Sequence, residues 1–68
     1  MVQYAVTLKD GEWTVFKDAK PLQRGLSRSA AVAMAEGLAF DAEAAGEDVE
    51  LVIQSYSGEL AQRRSGGG

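Results

Sequence analysis

From Val2 to Asp18 the chain alternates apolar and polar positions on both sides of Asp10-Gly11, in "VQYAVTLKDGEWTVFKD". A period of two predicts strands with one buried face, and Asp-Gly suits a two-residue turn in which both positions take positive φ. Counting outward from that turn sets Lys9 opposite Glu12, Leu8 opposite Trp13, Val6 opposite Val15 and Tyr4 opposite Lys17. Leu8, Trp13, Val6, Val15 and Tyr4 share the predicted core face with Lys17, while Gln3, Ala5, Thr7, Thr14 and Phe16 take the other. The next stretch, "KDAKPLQRG", breaks the alternation and holds the only proline. It predicts a connection with a short extended piece at Leu22 to Arg24.

A helical pattern follows. Ser27 suits an N-cap and Gly46 the left-handed stop, which predicts a helix from Arg28 to Ala45. Steps of about 100° per residue gather Ala31, Met34, Ala35, Leu38, Ala42 and Ala45 on a stripe that faces the sheet. The opposite stripe is Ala33, Gly37, Phe40 and Ala44, flanked by Glu36 and Glu43. An alanine-rich inner face brings the helix axis close to the sheet, so large strand residues such as Trp13 must supply volume. "VELVIQSYSGELAQRR" then predicts a second hairpin around Ser57-Gly58, with Ser55 opposite Leu60 and Tyr56 opposite Glu59. In that register Leu51, Ile53 and Leu60 point inward, and Val52, Gln54 and Tyr56 point outward with Ala61 and Arg63.

The expected fold is therefore α+β: an antiparallel sheet of two β-hairpins, in the order ββαββ, with one α-helix packed across one face. Residues 1–64 form the single domain, and the glycine-rich end, 65–68, reads as a flexible tail.

Composition narrows the functional classes. With 68 residues one core leaves little surplus stability, so association with a partner would help. The absence of cysteine and histidine removes disulfides, thiolate chemistry, the usual zinc sites and imidazole catalysis. No hydroxyl has a recognisable base beside it, and Asp41, Glu43, Glu47 and Asp48 read as a solvated acidic run; no enzyme and no cofactor are expected. Neither a leader nor a membrane-spanning stretch is evident, so the expected location is cytoplasmic, with no membrane contact.

Tyr4-x-Val6, Asp10-Gly11, Trp13-x-Val15, Ser27 with Arg28, Ala31, Ala35, Leu38-Ala39, Leu51-Val52-Ile53, Gly58 and Arg63 together resemble a family of small bacterial and phage-associated domains of unknown function. Members read "YHVVP…DGGWAVK…", then "TKAEAxxxAxxLA" and "ELVIHxxDGxI". The resemblance implies a domain of two hairpins and one helix, and no activity. Outward helix positions in such domains are usually charged, whereas here they are Ala33, Gly37, Phe40 and Ala44. A weaker likeness, carried by Trp13-x-Val15-Phe16-x-Asp18 and Gly25-x-Ser27, is to antitoxins that neutralise a small ribonuclease. The chain lacks their proline after the phenylalanine and their acidic residues after the cap.

Three surfaces stand as candidates. Ala33, Gly37, Phe40 and Ala44 form a candidate protein interface, for a homodimer or another protein, because small residues admit close approach and Phe40 offers an aromatic anchor. The alternative is that Phe40 folds back onto its own "KPLQ" segment. The outer sheet face with the basic residues, namely Phe16, Tyr56, Lys17, Arg24, Arg28 and Arg63, forms a candidate nucleic-acid face, although a net charge of −3 opposes strong phosphate binding. Phe16 and Tyr56 equally suit a sheet-to-sheet contact. The third is an anion site at the helix N-terminus in "RGLSRSA".

Overall fold

In the computed structural model the described residues are 1–55 and, for the backbone, 60–65. The elements are β1 (Val2–Lys9), β2 (Glu12–Lys17), β3 (Lys20–Leu26), α1 (Arg28–Ala44), β4 (Val49–Gln54) and β5 (Leu60–Ser65). They build one five-stranded sheet in the order β3-β2-β1-β4-β5, with α1 across one face. The α+β class and the covering helix agree with the sequence expectation, but the sheet is mixed and five-stranded, not an antiparallel pair of hairpins.

The β1–β2 hairpin forms in the expected register, with Lys9 opposite Glu12 and Tyr4 opposite Lys17. Asp10 and Gly11 take φ of 52° and 79°, as a two-residue turn that follows the strand twist requires. The predicted connection after Lys17 is instead a second turn and a third strand. Asp18 and Ala19 adopt φ of 49° and 71°, and Lys17 pairs with Lys20. Asp18 fastens this turn to β1: its N–H donates to the Gln3 carbonyl at 2.8 Å, and its Oδ1 accepts from the Gln3 N–H at 3.0 Å. β3 is exposed almost throughout and its register against β2 shifts twice; Gly25, at φ 71°, supplies the left-handed residue of an irregularity between Gln23 and Leu26. Pro21 sits on this edge strand, where a missing N–H is tolerated.

The extra strand changes the sense of everything after it. β3 runs parallel to β1, so the helix returns the chain to enter β4 parallel to β1, with Tyr4 beside Leu51 and Val6 beside Ile53. The sheet is mixed: its central strand β1 is antiparallel to β2 and parallel to β4. β4 and β5 are antiparallel as expected, but Leu60 lies opposite Gln54 and not Ser55, so five residues link the strands in place of the expected two. The expected Ser57-Gly58 turn, Tyr56 and Glu59 lie outside the described residues.

The core joins Val2, Tyr4, Val6, Trp13, Val15, Val49 and Leu51 of the sheet to Ala31, Ala35, Ala39 and Ala42 of α1. Four buried alanines give the helix a flat inner side, and the sheet contributes the bulk, Trp13 above all. The buried stripe is turned slightly from the expected one. Ala39 belongs to it, Met34 and Leu38 sit half-buried at its border, and Ala45, the C-cap, is exposed. Leu8, expected in the core, is 44% exposed because the β1–β4 pairing ends at Val6 and Leu8 stands beyond it.

Both helix ends are closed by the expected residues. The Ser27 hydroxyl accepts from the Ala30 N–H at 3.2 Å. At the other end the Glu47 N–H donates to the Ala42 carbonyl and the Gly46 N–H to the Glu43 carbonyl, with Gly46 at φ 89°; this is the Schellman arrangement. Among the described residues no helix is long and apolar enough to cross a membrane.

Candidate functional site

The side of α1 away from the sheet follows from the side that faces it. With Ala31, Ala35, Ala39 and Ala42 buried, helical geometry sends Ala33, Gly37, Phe40 and Ala44 outward, and all four are exposed. Phe40 leaves 71% of its surface open, so its ring does not fold back onto residues 20–23. An added Cβ at Gly37 would meet nothing within 4 Å, which makes the neighbouring surface open as well. Glu36 and Glu43 border the strip on one side and Asp41 on the other. Arg28 is the helix's only basic residue, and it is turned inward: its Nε donates to the Gln54 carbonyl at 3.3 Å and its guanidinium lies 5.8 Å from the centre of the Trp13 ring.

Among the described residues no helix covers the opposite face of the sheet. Along β2 it holds a cleft of about 270 Å³ lined by Lys9, Asp10, Glu12, Thr14, Phe16, Ala19, Pro21 and Arg24. Thr14, on the face away from the core, is only 3% exposed and lines this cleft. Phe16 is half-buried and lines the cleft as well. Charges of both signs surround it, and the Arg24 Nε stands 4.0 Å from a Glu12 carboxylate oxygen on the exposed rim. Sequence reasoning found Phe16 and Arg24 but not the cleft, because Pro21 and Ala19 line it only once β3 is recognised as a strand.

The proposed nucleic-acid residues are not gathered on one surface. Phe16 and Arg24 line the cleft, whereas Arg28 lies on the helix side against Trp13, and Lys17 pairs with Tyr4 at the exposed end of β2. Tyr56 and the Arg63 side chain lie outside the described residues; the Arg63 backbone pairs with Leu51. At the helix N-terminus, Ser27 is used as the cap and Arg28 is held by Gln54 and Trp13.

No family model, no curated protein and no solved structure matches this chain. Among the described residues no group of three or more acidic side chains is arranged to hold a metal ion.

Proposed function

We propose that the chain is a non-enzymatic binding domain that engages a protein partner through the outward face of α1, with Phe40 as the anchor. The carrying observation is Phe40 itself, a large aromatic ring left 71% exposed amid small residues. Aromatic anchors with room around them carry a disproportionate share of interface energy. Ala33, Gly37 and Ala44 let a partner approach the helix closely. Supporting it, a 68-residue chain whose helix contributes only alanines to the buried core has modest apolar burial, and covering a second face adds to it.

Two occupants satisfy this reading, a second copy of the chain or another protein; an inhibitor that acts on a protein target is a special case of the second. A second reading places a ligand in the cleft of the open sheet face, where Phe16 offers a ring for stacking and Lys9 and Arg24 offer cations. Asp10 and Glu12 in the same cleft weigh against a polyanion there.

Photo-crosslinking separates the two surfaces. A crosslinking residue at Ala44 is expected to give a protein adduct that is lost on Phe40→Ala, whereas one at Thr7 on the open sheet face gives none. Adducts from position 7 alone would overturn the assignment.

A further inference from the structure

Resting on that reading, we infer that the occupant of the α1 face is a basic amphipathic segment of another protein, and not a second copy of this chain. Charge carries the first half of the inference. The apolar strip lies between Glu36 and Glu43 on one side and Asp41 on the other, and Glu47 and Asp48 follow beyond the helix. No cation of α1 faces outward, since Arg28 is turned toward Gln54 and Trp13. A twofold dimer sets a patch against itself, so the carboxylates of one copy would face those of the other with no helix cation between them. A segment bearing lysine or arginine beside leucine-like anchors offsets those carboxylates while its apolar side meets Phe40, Ala33, Gly37 and Ala44.

Area carries the second half. The 17 residues of α1 make a cylinder about 25 Å long and about 10 Å across, so its outward half offers about 400 Å² of surface. A stable interface between folded proteins buries about 800 Å² on each side. A stable dimer of folded domains on this strip alone falls well short of that, and a contact of this size suits a transient complex with a short segment. The resulting complex is weak, transient and sensitive to salt.

The test uses two labelled peptides of equal length, with leucines at helical i, i+3, i+4, i+7 spacing and either lysine or glutamate at the remaining positions. Their binding to the whole chain is followed by fluorescence anisotropy, beside light scattering of the chain alone. The lysine peptide is expected to bind. Its affinity should fall about fivefold or more between low and high salt, and about tenfold or more on Phe40→Ala. Glu36→Gln with Glu43→Gln should weaken it several-fold, while the chain alone stays monomeric. A dimer that dissociates on Phe40→Ala, or equal Phe40-dependent binding of the glutamate peptide, overturns the charge inference and leaves the α1 face as the docking surface. Absence of any Phe40-dependent association overturns both.

Discussion

Replacing Ala19 with glycine should stabilise the protein, against the usual effect of adding a glycine. Ala19 is exposed and holds φ at 71° in the Asp18-Ala19 turn, a conformation in which the Cβ crowds the following carbonyl. That strain costs about 1–2 kcal/mol, and glycine removes it. Glycine also gives the unfolded chain more freedom, which offsets about 0.5–1 kcal/mol of the gain. The net expectation is a stabilisation of about 0.5–1 kcal/mol, which for a domain of this size raises Tm by about 2–8 °C. Thermal unfolding followed by circular dichroism reads this shift directly. Gly11→Ala is the reciprocal experiment: Gly11 sits at φ 79° and an added Cβ there would meet nothing within 4 Å, so any cost is conformational. It should lose about as much as Ala19→Gly gains. An Ala19→Gly protein no more stable than the parent, beside a destabilised Gly11→Ala, would refute the reasoning about the second turn.

Ala35→Leu should cost about 1–3 kcal/mol in urea unfolding, because Ala35 is fully buried where the helix meets the sheet and a larger side chain must push the two apart. Cost-free accommodation would mean that the interface is looser than its buried alanines imply. Ser27→Ala should cost about 1 kcal/mol through the lost bond to the Ala30 N–H, and a change near zero would show that the cap contributes nothing.

The legible parts of the fold are those in which one local signal settles one local question. Asp10-Gly11 between alternating runs specified the first hairpin down to its pairs, and Ser27 and Gly46 bracketed the helix within a residue of its ends. The second turn was hidden because an alanine, not a glycine or asparagine, takes its left-handed position. β3 was hidden for a related reason: Pro21 and Gly25 read as loop residues, and two register shifts on an exposed edge erase the alternation that marks a half-buried strand. Without β3 the expected direction of β4 relative to β1 is reversed, which is why the expected sheet is antiparallel and the observed one mixed. The outward stripe of α1 needed only helical periodicity and emerged with all four positions exposed. The cleft on the open face depends on β3 lying beside β2 and was out of reach.

The assignment of the α1 face is tested most directly by a map of backbone amide shifts during titration with the lysine-leucine peptide at low salt. Changes confined to the outward positions of α1, around Ala33, Glu36, Gly37, Phe40 and Ala44, are the expected result. Changes centred on Thr14, Phe16 and the strands that frame the cleft would contradict it and move the binding surface to the open face of the sheet.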